Sequence, residues 1–210
     1  EPFAIMGEVD RNSPAAHWYR QLSKQLALRT PPKAIVVVTA HWETTNSVHI
    51  TAQHQHTKLL YDYSGFAPEA YEIQYNPPGD VQLSKRIKSL LDQAGIPATL
   101  DEHRNFDHGV FVPLKLSYPD ATIPVVAISI LRSLSPEQHL AIGKALAPLR
   151  QEQVLIIGSG SSVHGFRITE TQAQTFMNKL VSVLTESNPE EREKALLRWE
   201  KALPYARENH

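Results

Sequence analysis

The sequence predicts an α/β fold: a single domain with a mixed, largely parallel central sheet flanked by helices. Apolar runs at 34–39 ("AIVVVT"), 125–130 ("VVAISI") and 154–161 ("VLIIGSGS") show little polar alternation, as strands covered on both faces require. Stretches with helical spacing of apolar residues lie between them, and alternating strands and helices build a sheet with helices on its faces. The 210 residues, 41% hydrophobic and 20% charged, suit one domain with an ample core and no disorder signature.

Each element has a local reason. Ser13 followed by Pro14 reads as a helix cap and a proline at the first helical position, and Trp18, Leu22 and Leu26 give the stripe that Pro31-Pro32 ends. After the first strand and a "TTN" turn, "SVHIT" at 47–51 alternates as a short strand. Residues 61–79 ("YDYSGFAPEAYEIQYNPPG") mix aromatics with Gly and Pro and read as an ordered loop with one helical turn. A helix at 80–94 is closed by Gly95, and "PATLDE" follows as a strand. "SPEQ" at 135–138 has the capping-box pattern and opens a helix to about 149. From 170 onward the chain reads as two helices separated by "SNPEE". There is no internal repeat and no Gly- or Ser-rich linker.

Composition excludes several functions. A formal net charge of -1 offers no electrostatic case for nucleic acid or an anionic membrane surface. No apolar run reaches the length of a membrane span, and "EPFAIMGEVDRNSP" lacks the layout of a signal peptide. With no cysteine there are no disulfides or thiolate metal sites, which fits a reducing, cytoplasmic setting. Ten histidines are many for such a chain, so any transition metal here must be held by imidazole and carboxylate.

Three histidines have suggestive settings. His41 follows the first buried strand in "AIVVVTAHWE", and His164 follows the last in "GSGSSVHGF". His108, in "NFDHGVFVPL", is expected in a loop directly after Asp107. Functional groups in open α/β sheets gather beyond the carboxyl ends of the strands, so parallel strands would bring His41 and His164 to one edge. A neutral imidazole ligates metal and exchanges protons near pH 7. His17, His49, His54, His56, His103 and His139 read as ordinary structural residues; His54 and His56 form an i, i+2 pair without apolar support. "GSGSS" lacks both the lysine of a phosphate loop and the spacing of a dinucleotide fingerprint.

"PPKAIVVVTAHWE", "YDYSGFAPEAYEIQYNPPG", "RNFDHGVFVPLKLSYPDATIPVVAISI", "LAIGKALAPLR" and "VLIIGSGSSVHGFR", in this order, resemble the DOPA-dioxygenase-like members of the class III extradiol ring-opening dioxygenases, the LigB type. The resemblance covers nearly the whole chain. It implies one catalytic domain over 1–210 and a non-haem metal site holding Fe(II), or Zn(II) as in some relatives. It matches His41 to the "AHW" metal ligand. His164 is matched to an acid/base close to the metal, and His108 to a group that contacts substrate or oxygen and assists proton transfer. Asp107 is then a candidate partner for a neighbouring imidazole or substrate, Glu43 and Trp42 support His41, and Tyr61 and Phe66 wall an aromatic substrate.

The partners implied are a small aromatic diol and O2, with the protein a monomer or small homo-oligomer. The family's first ligand stands in an amino-terminal "HG" motif and its last in an "HP..EH..PL" stretch whose first His matches His210. Short segments carrying both are therefore expected beyond the two ends of this chain. A metal-dependent hydrolase or a non-enzymatic binding protein on the same architecture are the alternative readings.

Overall fold

A computed structural model describes residues 13–27, 31–165 and 168–209. They form two compact units, one within 1–134 and 141–160, the other within 135–140 and 161–210. The match to His210 falls outside the described residues.

The first unit is built on a five-stranded sheet of order β3-β2-β4-β1-β5. Its strands are β1 (Ala34–Thr44), β2 (Val48–Thr51), β3 (Ala98–Asp101), β4 (Val125–Leu131) and β5 (Val154–Ser159). β1 runs parallel to both β4 and β5, and β2 parallel to β3; β2 meets β4 antiparallel through Ile50 and Ile128. The sheet is mixed and largely parallel, as expected.

Alternate side chains of the central strands enter opposite cores, because successive residues of a strand point to opposite faces. On one face Ala34, Val36, Val126 and Ile128 pack with Leu83, Ile87, Leu91, Ile142 and Leu146. On the other, Ile35, Val37, Val125 and Ala127 pack with Phe106, Val110, Phe111 and Leu114. Burial on both faces is why these strands read as unbroken apolar runs.

Three helices of this unit are α1 (Pro14–Ala27), α2 (Val81–Gln93) and α3 (His108–Ser117). Ser13 Oγ accepts the Ala16 N–H at the start of α1, and Asp80 accepts the Leu83 N–H at the start of α2. Beyond α2, Gly95 takes a left-handed φ of +71°, which suits a glycine at a helix end. The expected turn in the 61–79 loop is a single 3-10 turn at Pro68–Tyr71.

α3 corrects the sequence reading, which put His108 in a loop. "HGVFVPLKLS" hides its helix for two reasons: most of it is buried, so no polar face marks a period, and Pro113 lies inside it. Proline has no N–H for the carbonyl four residues earlier, that of Gly109. The Ser159 hydroxyl, at the end of β5, donates to that carbonyl across 2.5 Å. The proline thus frees an acceptor that the sheet edge uses.

α4 (Pro136–Leu146) begins where "SPEQ" predicts and passes into a 3-10 turn at Ala147–Glu152 rather than continuing as α-helix to 149. The second unit is helical, with α5 (Glu170–Leu184), α6 (Pro189–Leu197) and two further single turns. Thr169 and Gln172 form a reciprocal capping box at α5, and Asn188 caps α6. Phe176, Val183, Leu203 and Ala206 form its core.

Candidate active site

The first histidine is placed by a break in β-sheet register. Ile35 to Thr39 pair in step with Val125 to Ser129, and pairing resumes with Glu43 opposite Ile130. Ala40, His41 and Trp42 therefore have no counterparts on β4 and bulge from the ladder, a device that re-aims side chains at strand ends. Trp42 turns into the core at 6% exposure, while His41 keeps 43% of its side chain open. The strand does not stop at His41, as the sequence suggested; it goes on to Thr44 around it.

Several contacts hold the bulge. Arg104 sits 5.1 Å over the Trp42 ring and reaches the His41 carbonyl at 3.5 Å. The same guanidinium lies 3.3 Å from Asp107 Oδ2, and the Thr39 hydroxyl donates to Asp107 Oδ1 at 2.8 Å. Gly109 must be this small: a Cβ there would stand 2.7 Å from Thr39 Oγ1 and 3.0 Å from Asp107 Oδ1. Asp107 is 1% exposed, and its two oxygens are engaged by Thr39 and Arg104 rather than by a ring nitrogen, while its charge adds to the upward shift of the His41 pKa. Glu43 likewise pairs with Arg132 at 3.4 Å rather than with His41.

The carboxylate that meets the imidazoles is Asp62, which the sequence reading passed over. It stands between Tyr61 and Tyr63 in the loop after β2. Asp62 Oδ2 lies 3.0 Å from His41 Nδ1, and Asp62 Oδ1 lies 2.8 Å from His108 Nδ1. Asp62 Oδ1 also accepts the backbone N–H of His108 at 3.0 Å. His108 opens α3, and the side chain of its own cap residue, Asp107, makes no capping bond; Asp62 takes over that service from another segment.

The two rings stand edge to face with centroids 4.0 Å apart. Among the described residues, the donor atoms of His41, Asp62 and His108 all lie within 4.8 Å of one another, close enough to hold a metal ion. Hydrogen bonding to Asp62 raises the His41 pKa above its ordinary value, against a smaller opposing effect of burial. Burial opposes ionisation of Asp62, but the hydrogen bonds from His108 and His41 hold its carboxyl well below the usual carboxylate range.

Aromatic residues surround this group. Tyr63 lies 5.8 Å from the His108 ring and donates its hydroxyl to the Ala70 carbonyl; burial pushes its phenol up to about 12. Tyr61 donates to the Ile73 carbonyl and packs half-buried against Phe111, and Phe66 contacts Tyr63 at 5.3 Å. Tyr61 and Tyr63 both pack against the core, and Tyr63 also meets the edge of the His108 ring. His164 belongs to the second unit, where its backbone N–H donates to the Asn209 carbonyl at 3.0 Å.

His56 is not the polar-segment residue the sequence suggested. It is 1% exposed and stacked on Phe106 with ring centroids 3.8 Å apart, and neither ring nitrogen makes a hydrogen bond.

Comparison with known proteins gives the arrangement its context. A family model described as the catalytic LigB subunit of aromatic ring-opening dioxygenase matches residues 3–210. A 4,5-DOPA dioxygenase extradiol of Beta vulgaris is 39% identical over 161 residues, 76% of this chain and 59% of that protein. The protein of that name from Escherichia coli K12 is 39% identical over 151 residues, 71% of this chain and 54% of its own. The chain thus spans little more than half the length of these relatives. A crystal structure of an uncharacterized protein from Escherichia coli K12 superposes with a TM-score of 0.73 at 31% identity, covering 94% of this chain and 77% of that one.

Proposed function

From the premise that the chain belongs to the family of catalytic LigB subunits of aromatic ring-opening dioxygenases, we propose that it acts as a metal-dependent extradiol dioxygenase. Its substrate would be a catechol-type ring opened with O2. The observation that carries this reading is the His41–Asp62–His108 group beside a break in the parallel strand β1. The names of its relatives support a small aromatic diol as substrate.

The donor set suits the metal. Imidazole and carboxylate donors accept Fe(II) and Zn(II) alike; the preference for Fe(II) rests on the resemblance to ring-opening dioxygenases. His41 is the ligand we assign among the described residues. When bound, such a metal would supply Lewis acidity toward the catechol oxygens.

The remaining work belongs to protein groups. His108, at the start of α3, would take a proton from a catechol hydroxyl and return it later. His164 is proposed as a second acid/base group. Tyr63 and Phe66 supply apolar walls for a flat ring, with Tyr61 holding their loop against the core. The absence of cysteine favours a reducing compartment, consistent with a cytoplasmic enzyme.

The test is oxygen uptake by the full-length protein loaded with Fe(II), across a panel of catechols, with the ring-opened product followed by absorbance. Uptake with at least one catechol is expected. No uptake with any of them would overturn the reading.

A further inference from the structure

The Asp62 carboxylate is met by three nitrogens from two segments far apart in sequence. Its Oδ1 takes both the backbone N–H and the Nδ1 of His108, at 3.0 and 2.8 Å, and its Oδ2 faces His41 Nδ1 at 3.0 Å. An ionised carboxylate only accepts hydrogen bonds, so each Nδ1 must carry hydrogen to satisfy this geometry. A neutral imidazole protonated at Nδ1 has its lone pair on Nε2. No described residue hydrogen-bonds Nε2 of either ring. The structure assigns Asp62 the role of a single positioning residue that sets the tautomer and orientation of both His41 and His108, presenting Nε2 of the first to metal and Nε2 of the second to the substrate proton.

The loop is built to keep Asp62 in place. The Leu60 N–H donates to the Phe106 carbonyl, two residues before His108, so the strand-like segment 59–60 lies against the chain leading into α3. Tyr61 and Tyr63 on either side tie their hydroxyls to the Ile73 and Ala70 carbonyls of the same loop and pack on the core. Asp62 therefore sits on a fixed mount, and 18% of its side chain is exposed. One carboxylate serving two rings also fixes the distance between them. A metal ligand and a proton-transfer group held by one anchor cannot drift apart. The roles of the two Nε2 atoms rest on the dioxygenase reading; the tautomers do not.

The experiment uses full-length protein with ¹⁵N-labelled histidine, stripped of metal and studied at a pH where the rings are neutral. Long-range ¹H–¹⁵N correlation spectra report which ring nitrogen is protonated, and Zn(II) serves as a diamagnetic probe for affinity by titration. Wild-type protein is expected to show Nδ1–H tautomers at both His41 and His108, and Zn(II) to bind His41 through Nε2. In Asp62→Asn, close in shape to the original, at least one ring should change tautomer and Zn(II) affinity should fall about 10–100-fold, the range seen on removing partners of metal-ligating histidines. Asp62→Glu should recover part of that loss.

Nε2–H at either ring in the wild type, Zn(II) bound through Nδ1, or unchanged tautomers and affinity in Asp62→Asn would each overturn the assignment. The wild-type spectrum needs no variant, so a misfolded Asp62→Asn protein does not shield the proposal. Failure of oxygen uptake would sink the dioxygenase reading and leave the tautomer result standing.

Discussion

Thr39 and Asp107, 68 residues apart, share a 2.8 Å hydrogen bond inside the protein, with the Thr39 hydroxyl donating to Asp107 Oδ1. Thr39 is the last residue of β1 paired in register before the bulge, and Asp107 is the residue before α3. One bond thus joins the two backbone segments that carry His41 and His108. Thr39→Val keeps the shape and removes the donor, leaving a buried carboxylate oxygen without that partner. A loss of about 1–3 kcal/mol is expected in chemical denaturation, with Thr39→Ser losing much less. Equal losses in the two variants would mean that packing, not the hydrogen bond, dominates.

His41→Ala in the full-length protein should abolish metal retention while leaving the fold intact. Metal content by elemental analysis and circular dichroism check the two halves of that expectation. Because Asp62 keeps His108, the remaining imidazole should hold its place. Unchanged metal content would remove His41 from the ligand set.

His164→Ala should leave metal content unchanged and lower catechol turnover by roughly 10²–10⁴, the usual contribution of a positioned acid/base group. A near-normal rate would demote His164 to a backbone role through its hydrogen bond to Asn209. Turnover lost together with metal would instead make it a ligand.

His56 makes stability depend on pH. Burial pushes its pKa down to about 4. In the unfolded chain an ordinary histidine titrates near 6.5, so between those values the unfolded state binds more protons. The stability contributed by neutral His56 is complete above about 6.5 and is lost as pH falls toward 4, a change on the order of 3 kcal/mol. His56→Phe preserves stacking on Phe106 and should flatten the acid side of the stability curve between pH 6.5 and 4. An unchanged slope would show that other groups carry it.

Much of this was readable from the sequence, because burial on both faces leaves a plain mark. The runs at β1, β4 and β5, the caps at Ser13 and Ser135, and Gly95 all follow from local chemistry. His41 and His108 were visible as imidazoles beside family motifs. α3 was not, since a helix buried along most of its length has no polar stripe and Pro113 argues against it locally. The bulge was invisible because register belongs to two strands, and "TAHWE" carries no sign of what lies opposite. Asp62 was missed for a related reason. A carboxylate between two tyrosines in a loop looks like surface until the loop is folded back onto His41 and His108.

The proline in α3 has a consequence for assembly. A helix normally completes its own ladder of hydrogen bonds, but Pro113 leaves the Gly109 carbonyl to be satisfied by Ser159, 50 residues further along. The helix that carries His108 is finished only when the last strand has joined the sheet. A nascent chain ending before β5 would hold all the residues of the Asp62 group and still lack the bond that seats its helix. We expect the imidazole pair to become ordered late, as a product of the completed sheet rather than of its own neighbourhood.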